Sequence, residues 1–343
     1  MSDAAQNLDI AAVTTYVRER MDGFGDVTNV TKFETGQSNP TYLLETAAKN
    51  FVLRRKPMGE LLKSAHAVDR EFRVQSALAG SAVPVAKMHV LSDDDSILGS
   101  QFYIMDHVDG RGFDDPRLPD LAVEERKPVL SEMARVLAAL HDVDIDAVGL
   151  SEYGPSGNYY VRQISRWSKQ YLASKTQELE PMDRLMAALD EHMPEEDGLR
   201  TLVHGDYRID NMIFDKNSEK CLAVLDWEIS TLGHPYADLA GVIMQWQMPT
   251  GKLGRGLAGV DRAAHGLLSD QEFIELYCAH RGIEKIENFG FYLGFCFFRM
   301  AAVLEGVKRR ALDGNASNPK KALELGAHVP AFAAGGLKAL GYE

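Results

Sequence analysis

Residues 201–228 read TLVHGDYRIDNMIFDKNSEKCLAVLDWE, and the rest of the chain is interpreted outward from them. Two short apolar runs, 212–214 and 221–225, have the content of buried strands, and each adjoins acidic or amide side chains. His204 and Asp206 precede the first run, Asn211 opens it, and Asp226 closes the second, fifteen positions beyond Asn211. Taken alone, a His-x-Asp triplet arises by chance, and an aspartate after a strand caps a turn. In this order, in a strand-loop-strand setting, the pieces reinforce each other.

The chemistry that uses this spacing is phosphoryl transfer from a magnesium nucleotide. A nucleotide carries its charge on phosphates. Mg2+ must bridge them, and it takes a few hard oxygen ligands while water and phosphate complete its shell. Asn211 and Asp226 are therefore the candidate Mg2+ ligands, with ATP as the expected phosphoryl donor. A separate carboxylate must orient an acceptor hydroxyl and take its proton, and Asp206 fits that role. His204 is expected to support the loop, as is Asp238 near the start of a helix at 236–245, where it can accept backbone amides.

At 343 residues the chain exceeds the roughly 250–300 residues at which single cores stop growing, so two domains are expected. Thirty-seven basic and 50 acidic residues leave a net charge of −13, which argues against broad nucleic-acid binding. Cys221, Cys278 and Cys296 form no CxxC pair, so neither zinc nor a disulfide framework is expected, and buried thiols in a reducing cytoplasm follow. The first residues, MSDAAQNLDIAAV, lack the basic start of a signal peptide. The run 291–304 is broken by Arg299 and is shorter than the ~20 residues of a membrane span, so it is expected to be a buried helix.

Residues 8–21 carry apolar positions at helical spacing, and from Val27 the pattern changes to strands. The turn Gly36-Gln37-Ser38-Asn39 leads into a strand at 42–44. Small residues there let backbone amides approach a phosphate, although such a turn also serves a plain hairpin. In the strand 51–54, alternation puts Val52 and Arg54 on one face and Leu53 and Arg55 on the other. The first pair suits a base and a phosphate, whereas an edge strand ending in solvated charge is the competing reading. Residues 67–78 read as a helix. Glu71 either faces inward, where burial demands a cation such as Arg54, or pairs locally at the surface.

Further strands are expected at 83–85, 88–91 and 101–105, and Asp109-Gly110 breaks the pattern. The boundary falls there, giving 1–108 as a nucleotide-binding lobe and 109–343 as a lobe with the catalytic loop, metal site and acceptor pocket. Backbone groups at Met105 and His107 are expected to be free for an adenine edge. Beyond this the chain turns helical, as at 129–140, 270–282 and 288–312, while 231–235 reads as a turn. His141 is expected to be a hydrogen-bonded structural histidine. The segment 153–167 is rich in aromatic and polar groups, and Tyr160, Arg162 and Arg166 are candidate acceptor contacts, packing and a solvated helix face being the alternatives.

With these residues in place, the chain resembles the aminoglycoside phosphotransferase and choline kinase superfamily from about residue 27 to 312, most specifically in HGDYRIDN and LDWE. GQSNPTYLL, FVLRRKP, GNYYVRQISRWSKQY and STLGHPYADLA are similar to the branch found ahead of some acyl-CoA dehydrogenases. The resemblance implies an α+β, two-lobed protein-kinase-like fold, with a small antiparallel-sheet lobe and a larger, mainly helical one. It implies Asp206 as base, Asn211 and Asp226 as magnesium ligands, Glu71 paired with the strand cation, residues 36–39 over the phosphates and 105–107 as adenine hinge. Arg54 stands where the superfamily has lysine, a planar fork in place of a compact ammonium. The implied acceptor is a small-molecule hydroxyl, with hydroxyacyl-CoA leading and an aminoglycoside or other amino alcohol second. A nucleotide-binding module without catalysis is the third reading. The sequence leaves the oligomeric state open.

Overall fold

The computed structural model describes residues 8–33, 39–58, 67–251, 255–316 and 318–342. They form two compact units that interleave along the chain. The first comprises 1–112, 146–150 and 211–230, and the second 113–145, 151–210 and 231–343. Asp206 thus belongs to the second unit, whereas Asn211 and Asp226 belong to the first.

The first unit is built on an antiparallel sheet of β1 (Val27–Lys32), β2 (Thr41–Thr46), β3 (Asn50–Arg55), β4 (Met88–Ser92) and β5 (Phe102–Asp106), in the order β1-β2-β3-β5-β4. Alternation sorts its two faces. Leu44, Phe51, Leu53, Phe102 and Ile104 pack with Val13 and Val17 of α1 (Ile10–Arg18) into one core. Val52, Arg54, Tyr103 and Met105 project from the other face and line a cavity with Glu71 of α2 (Val68–Leu78). β3 is central, so its charged end is not a solvated edge: Arg55 is buried and donates to the Leu98 carbonyl of the short α3 (Asp95–Leu98). Residues 83–85 are not a strand. Pro84 has no N–H for a ladder, and its carbonyl instead accepts the Val224 amide at 2.9 Å, tying down the hairpin of β7 (Met212–Phe214) and β8 (Cys221–Val224).

The second unit is helical: α4 (Val123–His141), α5 (Tyr159–Ser174), α6 (Glu180–Glu191), α7 (Tyr236–Trp246), α8 (Asp270–Arg281), α9 (Phe289–Leu312), α10 (Pro319–Gly326) and α11 (Val329–Ala339). α9 packs against α5, α6, α7, α10 and α11. The apolar run expected to be too short for a span lies within this 24-residue helix, which has the length and composition to cross a membrane, yet 72% of its most apolar window is buried in the protein. The expected turn at 231–235 is in part a strand, β9 (Thr231–Gly233), paired with β6 (Thr201–Val203). This ribbon brackets the loop that carries His204 and Asp206.

Candidate active site

In the first unit the expected nucleotide residues converge. Arg54 Nε lies 2.9 Å from Glu71 Oε2, and Arg54 Nη2 lies 3.1 Å from Asp226 Oδ1. Glu71 is 1% exposed, and two further donors hold it: Tyr103 Oη to Oε2 at 3.0 Å, and Asn39 Nδ2 to Oε1 at 2.8 Å. Burial raises the Glu71 carboxyl above its ordinary range, against the opposing pull of Arg54 and Tyr103. Burial by itself would lower Arg54, but Glu71, Tyr103, Asp226 and Glu228 raise it and keep it charged. The result is a cation held between a helix carboxylate and the carboxylate that follows β8.

The β7–β8 register positions the candidate magnesium ligands. Met212 pairs with Val224, and the Leu225 amide donates to the Asn211 carbonyl at 2.8 Å, so Asn211 and Asp226 stand at the same end of one hairpin. Asp226 takes a left-handed backbone, φ 65 and ψ 56, which aspartate tolerates better than most residues. An amide oxygen and a carboxylate fit Mg2+, which takes few protein ligands and leaves the rest to phosphate and water. No cluster of three or more His, Cys, Asp or Glu suited to a metal occurs among the described residues. Asp226 borders a cavity of about 260 Å3, whose lining also includes Val52, Arg54, Met105, His107 and Leu225.

Three expected nucleotide contacts change. Asn39 is buried and directs its amide to Glu71, so it braces the carboxylate rather than offering that group to a phosphate. The His107 amide is not free, because antiparallel pairing extends one step past β5 and it donates to the Asn50 carbonyl at 3.2 Å; Met105 is paired with Val52 in the ladder. Gly36 and Ser38 lie outside the described residues.

In the second unit, the carboxylate of Asp238 accepts the His204 amide at 2.6 Å and the Gly205 amide at 2.8 Å. His204 is fully buried, and its Nδ1 accepts the Asp206 amide at 3.3 Å. Gly205, at φ 86, supplies the positive-φ turn that presents Asp206. The Asp206 side chain stays 38% exposed, 3.2 Å from Arg208 Nε, while Arg208 also reaches Asp210 at 3.1 Å. Arg299 donates to the Gly205 carbonyl at 3.3 Å. Neither arginine stood out in the sequence: Arg208 is visible only as the cation two positions after Asp206, and Arg299 only as a charge interrupting an apolar run.

Asp238 is itself braced by His141, whose Nε2 lies 3.4 Å away and whose Nδ1 is 2.8 Å from Tyr277 Oη. Replacing Asp238 by alanine leaves one buried and one half-buried amide without their acceptor and should cost about 3–5 kcal/mol in urea unfolding. A loss below about 1 kcal/mol would show that the loop is held by other groups. Burial lowers the His141 pKa, against the pull of Asp238, so the folded state favours the neutral ring. Stability is then present above the ordinary value of about 6.5 and falls as acid drops below it, by at most about 1.4 kcal/mol per pH unit for one proton. His234, also lowered by burial, adds to the same trend. His141→Gln should flatten the decline of Tm between about pH 6.5 and 5, and equal slopes in the two proteins would rule out this contribution.

A cavity of about 450 Å3 is lined by Asp206, Arg208 and Arg299 together with apolar side chains that include Met244, Met248, Met300 and Phe332. The expected acceptor residues stand apart from it. Tyr160 is 3% exposed and packs on His234, Phe291, Tyr292 and Phe295, an aromatic core in which its hydroxyl makes no hydrogen bond among the described residues. Arg162 turns back to the carbonyls of Ser156 and Gly157, and Arg166 stacks on Trp167 at 5.3 Å. Of these two cavities, Tyr160 and Arg162 border the smaller one of about 110 Å3, and Arg166 borders neither.

An antiparallel sheet bearing a buried cation-carboxylate pair, a hairpin ending in an amide and a carboxylate, and a separate braced aspartate are the parts of a kinase-like phosphotransferase. The chain belongs to the phosphotransferase enzyme family, whose sequence model matches residues 29–276. It is similar to mouse (Mus musculus) acyl-CoA dehydrogenase family member 10, with 43% identity over 288 residues, spanning 84% of this chain but only 27% of that protein's length. A Ralstonia eutropha protein described as a candidate aminoglycoside phosphotransferase has 43% identity and a TM-score of 0.89, covering 97% of this chain and 98% of its own. The aminoglycoside phosphotransferase APH(4)-Ia, solved as a thermostable mutant with AMP-PNP and hygromycin B, shares the fold at 17% identity and a TM-score of 0.62, over 96% of this chain and 98% of its own.

Proposed function

We propose that this chain transfers the γ-phosphoryl group of MgATP to a hydroxyl on a small molecule with an apolar chain, hydroxyacyl-CoA esters being the leading class. Arg54, held by Glu71, supplies positive charge to the phosphates, and Asn211 and Asp226 hold Mg2+. Bound there, the ion neutralises phosphate charge during transfer. Val108 borders the first-unit cavity and its amide has no protein acceptor among the described residues, so it replaces His107 as the group offered to the adenine edge. Asp206 orients the acceptor hydroxyl and takes its proton. The buried state of all three cysteines suits a reducing cytoplasmic setting.

The observation that carries the acceptor class is the wall of the cavity at Asp206. Three methionines, two leucines and a phenylalanine line it beside Gln245, Thr250 and His328. Among the described residues the added charges are Arg208 and Arg299, and the carboxylates are Asp206 itself and Asp238, which is already engaged with backbone amides. A polycationic aminoglycoside needs an acidic pocket, whereas an acyl chain needs an apolar one. The name of the mouse relative points the same way. ADP release from MgATP across a panel of hydroxyacyl-CoA esters and aminoglycosides tests the reading, with turnover expected on the esters. Turnover on aminoglycosides alone would move the acceptor to the amino alcohols. Nucleotide binding without ADP from either group would favour a non-catalytic module.

A further inference from the structure

The cavity at Asp206 is bounded by one stripe of α7 and its extension: Ala237, Asp238, Gly241, Met244, Gln245 and Met248. This is the spacing of a single helical face, and its middle position is a glycine. Glycine in a helix interior is unfavourable, so a mid-helix glycine calls for a reason. Neither common reason applies to Gly241. Its φ is not among the positive values, and a Cβ built there meets no atom within 4 Å among the described residues outside its own stretch of helix. The side chain it lacks would enter the cavity.

Position along the helix gives the gap a meaning. Asp238 grips the His204 and Gly205 amides and so marks the end of α7 next to the catalytic loop. At 1.5 Å per residue, Gly241 lies about 4.5 Å further along and Gln245 about 10 Å. Resting on the acyl-acceptor reading above, we propose that Gly241 is the chain-length determinant of this site: its missing side chain opens the passage from Asp206 to the methionine-lined end, and any larger residue there shortens the acyl chain that can be held.

The test is a binding series that needs no turnover. Saturated acyl-CoA esters without a hydroxyl, from butyryl to decanoyl, are titrated calorimetrically into the unsubstituted protein, Gly241→Ala and Gly241→Leu. The unsubstituted protein should gain roughly fourfold in affinity per added methylene along the series. In Gly241→Leu the decanoyl-to-butyryl affinity ratio should fall at least tenfold, with Gly241→Ala between. Gly241→Ala should also raise Tm by roughly 2 °C, since alanine relieves the helix cost without meeting a neighbour. Equal ratios in the three proteins would overturn the proposal while leaving the phosphoryl-transfer reading intact. Absence of any chain-length dependence in the unsubstituted protein would overturn both the determinant and the acyl class of acceptor. Failure of hydroxyacyl-CoA turnover alongside the expected ratios would instead count against the phosphoryl-transfer reading alone.

Discussion

Asp206→Asn is expected to bind MgATP with the affinity of the unsubstituted protein while kcat falls by roughly 10²–10⁴-fold, the scale of losing a general base. Asparagine keeps the size of the side chain and leaves the hydrogen bonds of the preceding loop in place, because those run from the His204 and Gly205 amides to Asp238. It cannot take a proton. The ion pair to Arg208 weakens, but at 38% exposure of the carboxylate that pair adds little stability. Single-turnover kinetics and nucleotide titration separate the two effects. A kcat within twofold of the original would remove Asp206 from the chemistry.

The second large effect is expected at Asp226→Asn. Its carboxylate stands beside the Asn211 end of the β7–β8 hairpin and 3.1 Å from Arg54, so the loss removes a hard anionic ligand and one partner of the cation. Catalytic efficiency with MgATP should drop by roughly 10²-fold or more, in line with losing one preorganised electrostatic group. The magnesium requirement should move to higher concentration, a change that general misfolding would not produce. Asparagine is the informative replacement because it also tolerates the left-handed backbone at this position, whereas alanine would add strain. An unchanged magnesium titration would place the metal elsewhere.

Legibility followed the strength of the local pattern. The two faces of β3 were readable because alternation over a few residues is unambiguous once a cation and a small apolar residue fall together. The inward turn of Glu71 was readable only as one of two options, since the partners that decide it, Tyr103 and Asn39, are 32 residues away in sequence. Strands of three residues such as β6 and β9 carry too little pattern to stand out, and 231–235 therefore read as a turn. Tyr160 looked like a ligand contact because aromatic and hydrogen-bonding residues serve packing and recognition alike. Its buried contacts with α9 come from residues more than 130 positions later and could not be seen locally.

The far wall of the cavity at Asp206 was missed altogether. Leu325, His328, Ala331 and Phe332 come from α10, α11 and the turn between them, beyond the residues that match the family. Signals were present, in Pro319 and Pro330 at helix starts and in the spacing of Val329, Phe332 and Leu337, but nothing in that pattern links the segment to Asp206. The general chemistry is thus written within the matched region. The lining of the cavity at Asp206 lies in part outside it, which is why that cavity was harder to read than the loop that carries Asp206.

Phosphorus-31 NMR of a reaction containing the protein, MgATP and a hydroxyacyl-CoA ester tests the central claim most directly. The account predicts a new phosphomonoester resonance growing in step with ADP, and neither signal with Asp206→Asn. ADP accompanied only by inorganic phosphate, or a phosphomonoester formed equally well by the variant, would contradict it.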